Sequence, residues 1–143
     1  MDSDHSSHLP HQHNIAILFL RIASGLVFIY HGSAILFGAF GAPGPLRFAA
    51  GMHAPAVVGY LVGLAQFAGG LAVLSGVFFR IGAACIVIVM LGAILLVHLP
   101  HGFNVGKGGM EYALTQLLVA AALLLTGPGA FSLGRFMGPL RKL

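Results

Sequence analysis

The chain has 143 residues, of which 58% are hydrophobic and only 7% are charged. A typical soluble domain carries about 25% charged residues, so this composition excludes a water-soluble globular monomer. The high apolar content also excludes a disordered chain. We therefore predict an integral membrane protein, with one compact domain and room for about four spans of roughly 20 residues.

Cysteine and charge content narrow the possible functions. The single cysteine, Cys85, cannot form an internal disulfide, which excludes both a dithiol–disulfide cycle within the chain and a cysteine-rich zinc site. The formal net charge is +4. The basic residues stand singly at the ends of apolar segments, where membrane topology explains them better than nucleic-acid binding does. We therefore expect no nucleic-acid partner.

The N-terminal segment, residues 1–14, is polar and rich in histidine. It has neither the basic start nor the cleavage site of a signal peptide. We expect a disordered tail, and weak binding of Zn, Cu or Ni by its imidazoles is the alternative. Its histidines are His5, His8, His11 and His13.

The apolar segments that follow are too long for barrel strands, and their side chains do not alternate in polarity. They predict an all-α fold, an integral membrane four-helix bundle, over residues 15–135. A basic tail, residues 136–143, completes the chain. The predicted spans are residues 15–37, 57–79, 81–99 and 110–126.

The connections between spans differ in kind. Residues 38–56 are rich in Gly, Pro and Ala, which indicates an interfacial segment with a short helical turn from Pro45. Arg80 marks a tight hairpin between the second and third spans. Residues 100–109 form a loop, as their Pro, Gly and Asn content predicts.

The distribution of Lys and Arg predicts the orientation of the bundle. Four spans place both termini on the same side of the membrane, and that side holds more basic residues than the other. Cytoplasmic segments of membrane proteins carry an excess of Lys and Arg. We therefore expect a protein integral to the cell (plasma or inner) membrane, with both termini in the cytoplasm. The basic residues of the terminal side are Arg80, Arg135, Arg141 and Lys142, against Arg47 and Lys107 on the other.

Ionisable groups inside a membrane are costly unless they are paired, which makes them functional candidates. Arg21 lies in the first third of the first span and either snorkels to the headgroups or pairs inside the bundle. His31 and His98 end their spans on the side opposite the termini, where Glu111 and Tyr112 begin the fourth span. We therefore predict that polar groups converge on this half of the bundle, with His31 and Glu111 facing its interior.

Other polar residues leave alternatives open. Gln66 falls near the middle of the second span among small residues, where packing between helices is the expected role and a hydrogen bond to a ligand is the alternative. His31 and His98 stand at similar depth and could ligate a haem, or each ring could simply rest at the membrane interface. We predict no metal site, and the chain lacks the P-loop, dinucleotide-binding and Ser-His-Asp motifs.

Several of these segments resemble the DoxX family. The first span, LFLRIASGLVFIYHGSAILFG, is similar to the family's opening helix in its arginine and its later His-Gly pair. The stretch QFAGGLAVLSGVFFRIGAACIVIVMLGAI resembles its second and third helices. Further on, His-Leu-Pro, Gly-Phe, Gly-Gly-x-Glu-Tyr and Gly-Pro-Gly occur in family order. The resemblance covers residues 15–135, and the matching polar positions are Arg21, His31, His98, Glu111 and Tyr112.

The resemblance implies a redox setting for the predicted bundle. The family takes its name from a membrane quinone oxidoreductase linked to thiosulfate oxidation, and other members are tied to complexes of oxidative or thiol stress. We therefore expect a membrane subunit of a redox system, with quinone contacted by His31, Tyr112 and Glu111, and with partner subunits or further copies of the chain. A non-catalytic anchor or assembly subunit is the alternative. Many members carry Glu at the position of Gln66 and Asp at that of Gly134.

Overall fold

The computed structural model describes residues 9–138, and all regular secondary structure in this range is helical. Three helical segments, His11–Phe37, Ala56–Ser75 and Phe79–His101, are long and apolar enough to cross a membrane, and a shorter apolar helix follows. The predicted all-α membrane bundle is thus confirmed. The α-helices are α1 (Leu9–Phe37), α2 (Gly44–Gly51), α3 (Ala56–Ser75), α4 (Phe79–Ala93) and α5 (Glu111–Thr126).

Helix α1 begins earlier than the predicted first span, so the described part of the N-terminal segment is helical rather than disordered. Tertiary contacts explain the extension. The ring of His11 packs edge-on against Phe131, with 6.1 Å between centroids, and Asn14 Oδ1 accepts a hydrogen bond of 2.8 Å from the amide of Ala130. His5, His8 and residues 139–143 lie outside the described residues.

Helices α1 and α3 run antiparallel with their backbones in close approach, because glycines lie at their contact. A Cβ atom at Gly32 would stand 2.6 Å from Phe67 Cα, and one at Gly70 would stand 2.7 Å from the amide nitrogen of Ile29. Small residues allow such approach between membrane helices. Helix α4 packs against α3 in the same way at Gly82, and α5 lies between α4 and α1, so the four long helices form a closed ring.

The two ends of the bundle differ in structure. The terminal end holds the start of α1, the α3–α4 turn and the end of α5, as the contact of Asn14 with Ala130 shows. The opposite end, here called the distal end, holds α2 and residues 99–110. Helix α2 packs against α1 and α3, with Ala49 buried. The first and last described segments therefore lie at the same end of the bundle.

The α3–α4 turn comes earlier in the chain than the predicted hairpin at Arg80, since α3 ends at Ser75 and α4 begins at Phe79. Gly76 adopts φ +77° and ends the helix, donating its amide to the carbonyl of Ala72. A glycine suits this left-handed conformation, and here the space matters as well. A Cβ at Gly76 would stand 2.9 Å from Arg21 Nη2 and 2.8 Å from Ser132 Cβ.

Candidate functional site

A cavity of about 630 Å³ lies in the distal half of the bundle. Its wall is largely apolar and is built from α1, α3, α4 and α5, with Phe48 and Met52 added from α2 and the residue that follows it. Small-molecule sites have volumes of about 300–1,000 Å³ and combine an apolar wall with a few placed polar groups. The polar side chains of this wall are His31, Gln66, His98 and Tyr112, each from a different helix or helix end.

Gln66 is the most buried of these polar groups, with 6% of its surface exposed. Within residues 9–138 its amide has no hydrogen-bond partner. The hydrogen bond to another helix that a packing role would require is therefore not formed. The amide atoms are not fully enclosed by protein, since the fully buried polar atoms without a partner among the described residues are Ser24 Oγ and Gln116 Oε1. The amide is therefore available to a molecule in the cavity.

His31 and Tyr112 stand together in the cavity wall, and both side chains are also exposed at the surface of the bundle. Their ring centroids are 6.4 Å apart, and the ring of His31 also packs edge-on against Tyr30 at 5.4 Å. Neither the imidazole nor the Tyr112 hydroxyl has a hydrogen-bond partner among the described residues. The pair thus presents two free polar groups, each capable of both donating and accepting when neutral.

His98 is positioned by an irregular end of α4. Residues Ile94–His98 form a π-helical turn, in which the amide of Leu99 bonds to the carbonyl of Ile94. Pro100 follows, and proline has no amide hydrogen to continue the regular pattern. His98 Nδ1 lies 2.7 Å from the carbonyl oxygen of Gly108. A carbonyl can only accept, so Nδ1 carries the proton and Nε2 of the neutral ring remains free as an acceptor.

Arg21 lies outside this cavity, near the terminal end, and is 1% exposed. Its guanidinium donates to the carbonyl oxygens of Val73, Leu74, Pro128 and Phe131 over 2.5–2.9 Å. Arg21 therefore pairs inside the bundle and does not snorkel to the headgroups. Its partners are backbone carbonyl groups rather than a carboxylate. Arg21 joins α1 to the end of α3 and to the segment after α5, which is a structural role.

Glu111 does not face the bundle interior, contrary to the sequence-based expectation. It is exposed at the start of α5, and its Oε2 accepts a 3.2 Å hydrogen bond from the amide of Val105. The reason is the position of Glu111 around α5. Ala113, two residues later and so on roughly the opposite side of the helix, is the residue that is buried and faces the cavity. The structure thus brings together four of the six predicted polar residues and places Arg21 and Glu111 elsewhere.

We expect Glu111→Ala to have a small effect on stability and none on the cavity. The lost bond to Val105 is exposed, and such a bond contributes about 0.5–1.5 kcal/mol. Thermal unfolding in mild detergent should show a correspondingly small decrease, while ligand binding in the cavity stays within twofold of the wild type. A large loss of binding would instead assign the carboxylate to the site.

Several residues of the wall had no sequence-based prediction of a role in a site. Phe48 and Met52 come from a segment predicted as interfacial, and Phe28 and Gly92 carried no chemical signal. Pro100, at the end of the third span, was the one local sign that α4 ends irregularly.

Packing explains why position 134, outside the cavity, is a glycine. A Cβ there would stand 3.2 Å from the carbonyl carbon of Gly76 and from Ser132 Oγ.

The chain is similar to known proteins over most of its length. A family model described as DoxX matches residues 16–99. The chain is similar to a Bacillus subtilis (strain 168) protein named "Putative oxidoreductase CatD", with 30% identity over 123 residues, covering 86% of this chain and 87% of that protein. No solved structure matches the chain. The family match covers more than half of the chain, and the relative matches over nearly its whole length, so the chain belongs to the DoxX family.

Proposed function

We propose that the chain is a quinone-binding membrane subunit of a redox system, and that the distal cavity holds the quinone head group. One observation carries this proposal. Polar groups of His31, Gln66 and Tyr112 that have no partner among the described residues line a largely apolar cavity, together with His98, at one end of a membrane bundle. The similarity to a protein named as an oxidoreductase supports a redox role. The Lys and Arg distribution supports cytoplasmic termini.

The chemistry of the wall suits a quinone head group. A quinone has two carbonyl oxygens that accept hydrogen bonds, and the amide of Gln66, the Tyr112 hydroxyl and the His31 ring can donate them. Reduction to the quinol takes up two electrons and two protons, with one proton on each oxygen. The resulting hydroxyls need acceptors, which Gln66 Oε1 and His98 Nε2 supply. The apolar wall contacts the ring itself.

Electrons reach this site from a soluble donor or a partner subunit, because the side chains of the wall exchange protons and hydrogen bonds rather than electrons. In an assembly that does not catalyse quinone reduction, the same cavity would only store or sense quinone. The anchor alternative makes a different prediction, namely that the folded protein binds no quinone at all. Binding is therefore the measurement that separates the two functions.

The test uses the full-length protein in lipid nanodiscs, titrated with decyl-tailed benzoquinone and naphthoquinone. We expect stoichiometric binding, weakened at least tenfold by His31→Ala and by Gln66→Leu, since each hydrogen bond lost in an apolar site contributes about 1.4 kcal/mol or more. The matched control is His13→Ala. His13 is an exposed histidine at the terminal end of α1 and lies outside the cavity wall.

A reduced-minus-oxidised absorption spectrum of the purified protein completes the test. A quinone signal near stoichiometric level supports the proposal, whereas a haem signal would assign His31 and His98 to axial ligation instead. A featureless spectrum from folded protein, together with no binding of either quinone, contradicts the proposal and favours a non-catalytic anchor.

A further inference from the structure

One side of the cavity wall is also part of the outer, lipid-facing surface. Leu61 of α3 and Ile88 of α4 line the cavity, yet they are 59% and 69% exposed. Leu96, in the π-helical turn after α4, lines it too and is 74% exposed. A side chain that is both wall and surface marks the rim of an opening. An aliphatic part of the rim therefore lies between α3 and the α4 segment. A second, polar part lies at His31 of α1 and Tyr112 of α5, which also line the cavity and are exposed.

The packing of the helices explains why the opening is on this side. Helices α3 and α4 touch toward the terminal end, where a Cβ at Gly82 would stand 2.9 Å from the carbonyl oxygen of Gly69. Toward the distal end both helices contribute wall residues, among them Val62 and Val89, so the cavity separates them there. The α1–α3 contact, in contrast, is sealed by backbone packing at Gly32.

Gly92 provides the clearest sign of open space. It lies in the wall on α4, and a Cβ built on it would meet no heavy atom within 4 Å. The rim side chains on the α3–α4 side, Leu61, Ile88 and Leu96, are all aliphatic, whereas the polar rim groups lie on α1 and α5. Water finds no hydrogen-bond partners among the aliphatic side chains of this opening. A hydrocarbon chain, in contrast, passes from lipid into it at no cost in free energy.

We propose that the ligand enters sideways from the bilayer between α3 and α4, and that its own apolar tail remains in this opening while its head group reaches Gln66 and His31. The inference rests on the proposed function and deepens it. The site then selects a lipid-soluble quinone that carries a tail, and a tailless quinone fills only the inner part of the cavity. The occupant of the opening is thus a hydrocarbon chain rather than a protein segment.

The first test closes the opening with Gly92→Leu. We expect at least tenfold weaker binding of decyl-tailed benzoquinone in nanodiscs, and less than a threefold change for the tailless dimethoxy-methyl-benzoquinone. Gly92→Ala, which adds only a methyl group, should bind both as the wild type does. Gly51→Leu is the matched control, because Gly51 has equally open space but lies outside the cavity wall.

The outcomes separate the two ideas. If wild-type protein binds both quinones but Gly92→Leu weakens neither, or weakens both equally, the lateral opening is wrong while quinone binding stands. If the wild-type protein binds neither quinone, the proposed function fails and the tail assignment fails with it. A selective loss of the tailed quinone supports the inference.

A second test measures the environment of the opening without any quinone. The chain has no tryptophan, so Gly92→Trp introduces a single fluorophore. We expect brominated acyl chains to quench it as strongly as they quench Leu125→Trp, a position 82% exposed on α5. Acrylamide, a water-soluble quencher, should act only on a reference variant, His101→Trp, in the exposed distal loop. Strong acrylamide quenching of Gly92→Trp would overturn the lateral opening.

Discussion

Replacing Arg21 with methionine should lower the free energy of unfolding by roughly 3–5 kcal/mol, the largest effect expected of any single substitution in this chain. Methionine keeps much of the length of the side chain but none of its donors. The carbonyls of Val73, Leu74, Pro128 and Phe131 then lose their partner in a buried place. Two of them belong to the end of α3, where helix carbonyls have no intrahelical amide to accept from.

Arg80→Met is the matched control for this prediction. Arg80 lies at the same end of the bundle, but it is exposed and donates only to the carbonyl of Leu124, over 2.8 Å. Its loss should cost no more than about 1.5 kcal/mol. Thermal unfolding in mild detergent, followed by circular dichroism, compares the two variants. Equal decreases in the unfolding midpoint would mean that water satisfies the carbonyls around Arg21.

Arg21→Lys distinguishes the charge from the geometry. Lysine keeps the positive charge, but its ammonium cannot reproduce the planar set of donors that contacts four carbonyls at once. We expect it to recover only a minor part of the stability lost in Arg21→Met. Full recovery would show that charge alone stabilises this end of the bundle.

Gly32→Ala should cost about 2–3 kcal/mol and also weaken ligand binding in the cavity. The added methyl group would stand 2.6 Å from Phe67 Cα, a backbone atom that no rotamer change can move away. Helices α1 and α3 must therefore separate, and overpacking of this kind typically costs 1–3 kcal/mol. The shift also moves the neighbouring His31, which is why the binding site responds.

Gly92→Ala provides the control, because the same substitution occurs there without a contact within 4 Å. Alanine is the better helix former by about 0.8–1.0 kcal/mol, so this variant should be at least as stable as the wild type. Unfolding midpoints in the same detergent make the comparison. If Gly32→Ala were equally stable, the close contact of α1 and α3 would not be a constraint on the fold.

The helices and their order follow from the sequence, because long apolar segments with few charges have only one stable form in a bilayer. The same reasoning placed His31, His98 and Tyr112 at one end of the bundle, since an even number of spans fixes which helix ends meet. Helix bounds differ from the predicted ones where tertiary contacts extend a helix. The start of α1 at Leu9 depends on contacts with Ala130 and Phe131 that no local pattern contains.

Composition and the lengths of the apolar segments are enough to predict the membrane class, the all-α fold and the end of the bundle at which polar groups collect. The three-dimensional packing of the helices determines which groups share a site. It turned Glu111 outward and Gln66 toward the cavity, and it gave Arg21 carbonyl partners 52 to 110 positions away. Helix rotation and separation set these contacts, and they are fixed by where glycines such as Gly32 let two backbones meet.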